Sequence, residues 1–103
     1  MKRFYLYKLR FNINGNTAAT LIAAVNKDFS HSHEESKESL VKEVYGNYTA
    51  DNDCNYDENV LADCLNNSSC SFIGELIPSD PILEEVDDFY FIQLQRTEAW
   101  EKK

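Results

Sequence analysis

Glycine and long apolar runs are scarce in this sequence, and each scarcity excludes a class of function. The 103 residues include three glycines, Gly15, Gly46 and Gly74, which lie too far apart to form a loop that cradles phosphate. No apolar run approaches the roughly 18 residues of a membrane span. The beginning of the chain alternates apolar with charged residues and lacks the apolar centre of a signal peptide. We therefore expect a cytoplasmic protein with no nucleotide cofactor and no membrane partner.

The cysteines and histidines fit no familiar chemical arrangement. Cys54, Cys64 and Cys70 are odd in number, and no pair has CxxC spacing, so we expect reduced thiols. His31 and His33 lie in a polar segment, and their spacing from the cysteines matches no zinc module. No signature of an activated nucleophile is present. The sequence thus predicts no metal site and no catalytic residues, and we do not expect an enzyme.

Charge is divided unevenly along the chain. Residues 1–27 hold five of the ten Lys and Arg residues and no acid, whereas residues 28–103 hold all 18 acids. A formal net charge of −8 repels phosphate backbones, so direct nucleic-acid binding is not expected. The acidic excess suits either solubility alone or a partner with a basic surface.

The supply of apolar residues is sufficient for a single domain over residues 1–103. Hydrophobic residues make up 43% of the chain and aromatic residues 13%, enough to offset the entropy of ordering. Residues 97–103 are charged apart from Trp100 and are predicted to form a tail.

The first quarter of the chain predicts a β-hairpin. Residues 3–13 alternate as a strand with one apolar face, formed by Tyr5, Tyr7, Leu9, Phe11 and Ile13. The dipeptide Asn14-Gly15 follows, and it is a strong hairpin signal because both residues tolerate positive φ. The return strand is predicted over residues 17–25, although its four alanines would suit a helix as well.

Two helices are predicted in the middle of the chain. Ser32 and Glu35 form a capping box that begins the first, and Gly46 is expected to help end it. Its apolar stripe consists of Leu40, Val41, Val44, Tyr45 and Tyr48. A polar link follows over residues 49–56, and Asp57 is expected to cap the second helix. The buried face of that helix is predicted to hold Val60, Leu61, Cys64 and Leu65.

Two further strands complete the predicted fold. They cover residues 70–77 and 89–95, with an acidic turn between them. The order β-β-α-α-β-β predicts an α+β fold, with a single-layer antiparallel four-stranded sheet and two helices packed on one face. We expect the strands to form two hairpins, one before and one after the helical pair.

Residues 51–57 resemble a calcium-binding loop because acids or amides stand at alternate positions. Tyr56 stands where such a loop needs glycine, and Ala62 stands where it needs a bidentate glutamate. We interpret the segment as a solvated loop that leads to the capping Asp57.

The first strand carries Lys8 and Arg10 beside its tyrosines, as proteins that bind single-stranded nucleic acid do. The second strand offers no aromatic partner, so we interpret the tyrosines as core residues.

The acidic surface is the strongest candidate for a function. The predicted partner-binding residues are acids with aromatic anchors: Asp51, Asp53, Glu84, Glu85, Asp87, Asp88, Tyr48, Tyr56 and Phe89. Such a surface can engage a groove rich in Arg and Lys, with fast association through electrostatic steering. The hypothesis is a small acidic, non-enzymatic protein-binding module, an inhibitor that imitates nucleic acid and blocks the basic, nucleic-acid-binding surface of a protein partner.

In being small and acidic with an α+β fold, the chain is similar to many accessory proteins of phages and mobile elements. No sequence motif supports this resemblance. Two alternative functions stay open. One is a small-ligand binder or small enzyme on the open sheet face, which needs a concave pocket with His31 or His33 beside a carboxylate or cysteine. The other is a homodimer formed through a sheet edge.

Overall fold

A computed structural model describes residues 2–79 and 81–101 of the chain. Its strands are β1 (Phe4–Ile13), β2 (Asn16–Asn26), β3 (Ser69–Leu76) and β4 (Phe89–Arg96), and its two long helices are α1 (His33–Asp51) and α2 (Glu58–Asn67). A four-residue helix, α3 (Pro81–Glu84), precedes β4, and a 3₁₀ turn (Glu98–Trp100) follows it. The predicted α+β class and element order are confirmed, with α3 as an addition.

The predicted β1–β2 hairpin is present, and its turn explains why. Asn14 and Gly15 have φ angles of 54° and 80°, so both central residues adopt the left-handed region that this turn needs. Leu9 consequently lies opposite Leu21, and Phe11 lies opposite Ala19. The alanines of β2 are fully buried. Small side chains there leave room for the large aromatic side chains of β1, so tertiary packing overrides the weak β propensity of alanine.

The sheet has the order β3-β1-β2-β4, with every neighbouring pair antiparallel. The predicted second hairpin is therefore wrong, since β3 pairs with β1 and β4 pairs with β2 at the opposite edge. Residues 77–88 connect the two edges, and Asn26 of β2 donates its Nδ2 proton to the Val86 carbonyl at 3.3 Å. A connection of that length is far longer than the usual hairpin loop of about 2–5 residues, as a link between opposite edges of a sheet requires.

Alternation along the strands gives the sheet two different faces. Tyr7, Leu9 and Phe11 point toward α1 and α2 and are almost completely buried. Lys8 and Arg10, one residue out of phase, point to the other side and are exposed. We call that other side the open face. No helix covers its middle in the described part of the chain.

The helix ends follow their capping chemistry, with one exception. The Ser32 side chain accepts a hydrogen bond from the Glu35 amide at 3.1 Å, and Glu35 accepts one from the His31 amide at 2.8 Å. Asp57 caps α2 by accepting from the amide of Asn59 at 2.8 Å. The predicted stop at Gly46 is wrong, because buried residues of the apolar stripe continue past it and α1 ends only after Asp51.

The segment predicted as a charged tail is folded through residue 101. Thr97 donates to the Thr17 carbonyl at 2.6 Å, and the following 3₁₀ turn buries Trp100 against Phe11 and Tyr48. Burial of this large aromatic side chain holds the segment against the sheet. The last two predicted tail residues, 102 and 103, lie outside the described residues. Within residues 2–79 and 81–101, no helix combines the length and hydrophobicity needed to cross a membrane.

Candidate functional site

The structure divides the nine predicted partner-binding residues into two groups. Phe89 pairs with Val25 at one end of β4, and Arg96 pairs with Ala19 at the other end. Seven residues of strand separate these ends by about 23 Å. The connection group lies toward the Phe89 end and contains Glu84, Glu85, Asp87, Asp88 and Phe89. The interhelical group contains Tyr48, Asp51, Asp53 and Tyr56, and its Asp51 lies 3.6 Å from the Arg96 guanidinium.

The connection group holds exposed acids beside an aromatic residue that serves the fold. Lys2 reaches the Val86 carbonyl at 3.0 Å and the Asp87 carboxylate at 3.4 Å. Asp88 accepts a hydrogen bond from the amide of Phe89 at 2.7 Å. The Phe89 side chain is half-buried against the core and contacts the ring of Phe29. It is therefore a poor anchor for a partner, although the acids around it stand in solvent.

The residues of the interhelical group take part in contacts that hold the fold together. Asp51 accepts a hydrogen bond from the Trp100 indole at 2.9 Å, so its carboxylate helps to hold the end of the chain. Tyr48 is buried, with only 4% of its surface exposed. Tyr56 keeps 46% of its surface exposed and contacts the ring of Tyr45 at 4.9 Å between centroids. Tyr56, Asp53 and the exposed part of Asp51 are thus the members that a partner could reach directly.

A cavity of about 410 Å³ opens between α1, the α1–α2 loop and the β1–β2 turn. Its lining residues include Tyr45, Tyr48, Asp53, Asn55, Asp57 and Val60. Two carboxylates line it, and none of its described lining residues is a lysine or an arginine. Its lining is therefore negative overall. Sequence reasoning named Tyr48 and Asp53 as contact residues but could not show that the β1–β2 turn closes a cavity around them.

The two tyrosines of the cavity differ in their hydrogen bonds. The Tyr45 hydroxyl accepts a hydrogen bond from the Asp57 amide at 3.1 Å. The Tyr48 hydroxyl has no hydrogen-bond partner among the described residues, and burial raises the pKa of Tyr48. No fully buried side-chain nitrogen or oxygen in the described residues lacks a partner. The Tyr48 hydroxyl is therefore accessible to solvent, through the cavity that this side chain lines.

The histidines do not line this cavity. His31 is exposed, and the cavity of about 410 Å³ includes neither histidine. The Nδ1 atom of His33 lies 2.5 Å from the Tyr7 hydroxyl, and its ring stacks on Phe72. Burial raises the pKa of Tyr7, and a hydrogen bond with Ser36 opposes that effect. No sequence pattern predicts the Tyr7–His33 contact, since it depends on where α1 begins relative to the sheet.

The cysteines are free thiols. Burial raises the pKa of Cys64 and of Cys70 to about 11, so both are neutral at physiological pH. A neutral thiol is a poor nucleophile and a poor metal ligand. Among the described residues no three His, Cys, Asp or Glu side chains lie close enough together to hold a metal ion.

The two sides of the molecule differ in charge. Exposed acids on the helical side are Glu34, Glu35, Glu38, Glu43 and Asp51 of α1, Asp53 of the α1–α2 loop, and Asp57, Glu58 and Asp63 around α2. Two of these form an ion pair within the described residues, Glu38 with Lys42 at 3.2 Å and Asp51 with Arg96 at 3.6 Å. On the open face Lys8 and Arg10 have no ion pair with any described residue. The structure therefore separates an acidic helical side from a weakly basic open face.

No family model matches the chain, and neither a curated protein sequence nor a solved structure matches it.

Proposed function

We propose that this chain is a non-enzymatic protein-binding module that docks its acidic helical side on the basic surface of a partner and competes there with nucleic acid. The observation that supports it is the separation of charge between the two sides of the sheet. Seven of the nine exposed acids on the helical side have no ion pair with a described residue. In this proposal the module acts in the cytoplasm, where its three free cysteines stay reduced.

Unpaired acids on one side produce a negative potential that extends about a Debye length, roughly 8 Å at physiological salt. Such a potential accelerates the encounter with a basic surface and repels phosphate. Tyr56 adds an exposed aromatic side chain next to the acids, and aromatic residues often supply much of the binding energy at interfaces. The acidic helical side and the exposed Tyr56 ring together suit binding to a basic surface that normally binds nucleic acid.

A pull-down from the lysate of the native host, at low and at raised salt, tests the proposal by measuring which proteins the chain retains. The first variant combines Glu34→Gln, Glu43→Gln and Asp63→Asn, whose side chains have no ion pair within the described residues. We expect the parent chain to retain a basic protein that duplex DNA displaces, and the triple variant to bind it about tenfold more weakly, as the loss of three exposed charge interactions suggests. The matched control, Lys8→Gln with Arg10→Gln, removes charge from the open face and should retain the partner.

Equal retention by the triple variant and the parent would contradict the proposal. A second arm reverses charge in the connection group, at Glu84, Glu85, Asp87 and Asp88. Because this group lies at the other end of β4 from Asp51, the two arms report separately which acidic end contacts the partner. Binding that weakens in the second arm alone would move the contact surface to the connection group.

A second candidate is self-association through the open face. Ile73, Tyr90 and Ile92 expose 53%, 42% and 48% of their surfaces, and β3 and β4 are edge strands. Exposed apolar residues beside an unpaired strand edge favour pairing with another chain. Sedimentation velocity of the parent and of Ile92→Lys tests this candidate. A dimer that the substitution dissociates would support it, and a monomer at all concentrations would remove it.

A further inference from the structure

Two buried tyrosines in the same cavity provide the starting observation. Tyr45 and Tyr48 expose 2% and 4% of their surfaces, so both are held firmly by the core. The Tyr45 hydroxyl bonds to the Asp57 amide, whereas the Tyr48 hydroxyl has no partner among the described residues. Buried polar groups in folded proteins are nearly always satisfied, by protein atoms, water or a ligand. The Tyr48 hydroxyl is therefore a group at the cavity surface that is open to hydrogen bonding by water or by a ligand.

The rest of the cavity indicates the chemistry of that molecule. The Asp53 carboxylate has no ion pair or hydrogen bond with a described residue. Asp57 uses one oxygen, Oδ1, to cap α2, which leaves its second oxygen for another donor. The ring of Tyr56 contacts Tyr45, which also lines the cavity. The cavity thus offers carboxylate oxygens, a phenol oxygen and nearby aromatic rings to a cation that carries several donors.

We infer that this cavity receives an arginine side chain of the basic partner, with the guanidinium bound by Asp53 and Asp57 and the Tyr48 hydroxyl. The inference rests on the proposed function and identifies one contact within it. A guanidinium presents five donors in one plane, which suits a pair of carboxylates and a phenol oxygen better than the compact ammonium of lysine. A volume of about 410 Å³ lies at the lower end of the range for ligand pockets, about 300–1,000 Å³, and admits one such side chain with water around it.

The direct test is a titration of the ¹⁵N-labelled 103-residue chain with a short capped peptide, acetyl-Gly-Arg-Gly-amide, followed by NMR. We expect saturable chemical-shift changes that cluster at the amides of Asn14, Asp53, Asn55 and Asp57. The matched peptide with lysine in place of arginine should bind several times more weakly. A matched peptide with citrulline, which has a similar shape and no charge, should not bind.

Two variants separate this contact from a general effect of charge. Tyr48→Phe removes a hydroxyl that has no partner among the described residues, so the fold should be unaffected. The arginine peptide should bind about tenfold to a hundredfold more weakly, the range expected when one hydrogen bond to a charged group is lost. The control, Tyr45→Phe, removes the hydroxyl that holds the Asp57 amide and should lower the unfolding temperature more than Tyr48→Phe does. Asp53→Asn should weaken the arginine peptide more than the lysine peptide, because only the guanidinium forms a planar paired contact.

Several results would overturn the inference. They are equal shifts with the arginine, lysine and citrulline peptides, shifts spread over the whole acidic side, or unchanged binding in Tyr48→Phe. The proposed function could survive any of them, because a partner retained by the parent and released by the helical-side triple variant does not require the cavity. If that partner were retained equally by the parent and the triple variant, the proposed function would fall even if the cavity bound arginine.

Discussion

The two faces of the sheet are formed by the same four strands and yet have opposite characters. On the helix-covered face β1 contributes Tyr7, Leu9 and Phe11 to a closed core. On the open face the same strand presents Lys8 and Arg10 to solvent, and neither forms an ion pair with a described residue. The two-residue period of a single strand therefore separates residues that stabilise the fold from residues that can be replaced with little effect on stability.

The largest expected effect belongs to the helix-covered face. Phe11 is fully buried and its ring contacts those of Tyr48 and Trp100, so Phe11→Ala leaves a cavity and should reduce the free energy of unfolding by about 3–5 kcal/mol. Ile92→Ala on the open face is the matched control and should cost less than about 1 kcal/mol, because 48% of its side chain is already exposed. Urea unfolding followed by circular dichroism measures both. Similar losses of unfolding free energy at the two positions would show that the two faces contribute equally to stability.

A somewhat smaller effect should appear in alkaline solution, again from the helix-covered face. Burial raises the pKa of Cys64 and of Cys70 from the ordinary 9.0 to about 11 in the folded chain. Between those pH values the unfolded chain has already lost thiol protons that the folded chain keeps, so the free energy of unfolding must fall as the pH rises. One pKa unit corresponds to about 1.4 kcal/mol for a fully buried group, but Cys70 is only half-buried and solvent screens its charge, so we expect a loss of about 1 kcal/mol for each thiol.

Urea unfolding at pH 8, 9, 10 and 11 checks this prediction for the parent and for Cys70→Ala. The variant should lose less stability than the parent between pH 9 and 11, because one of the two titrating thiols is absent. Parallel curves for the two proteins would show that Cys70 does not contribute to the alkaline loss.

The smallest effect is predicted for the open face. Lys8→Gln and Arg10→Gln, alone or together, should change the free energy of unfolding by less than about 0.5 kcal/mol, since neither side chain forms an ion pair with a described residue. Urea unfolding at low and at moderate salt measures the change. A loss above about 1 kcal/mol would mean that these bases stabilise the sheet through the field of the surrounding acids.

Local chemistry explains which parts of the fold could be predicted from the sequence. Asn14 and Gly15 determine the first hairpin through their positive φ angles, and Ser32 and Asp57 determine where the two long helices begin through their caps. These signals involve residues within a few positions of one another, so no knowledge of the tertiary structure is needed to interpret them.

The strand order and the cavity could not be predicted because they depend on distant contacts. No local signal near residues 69–76 indicates that β3 pairs with β1. Strands that are consecutive in sequence usually pair, so the default prediction is a hairpin of β3 and β4. Gly46 resembled a helix end because glycine is a weak helix former, yet burial of Tyr48 and Thr49 extends α1 beyond it. The sequence placed Tyr48 on an apolar stripe, but only the packed arrangement of α1, Asp57 and the first turn distinguishes its hydroxyl from that of Tyr45.

The position of Trp100 gives the protein an intrinsic optical reporter. It is the sole tryptophan of the chain, 97% shielded from solvent, with its ring 5.3 Å from that of Tyr48 and its indole nitrogen bonded to Asp51. Its emission therefore originates from one known place, beside the interhelical group. Occupancy of the neighbouring cavity and loosening of the last turn can both alter that emission, so binding and local opening can be followed in the unlabelled chain.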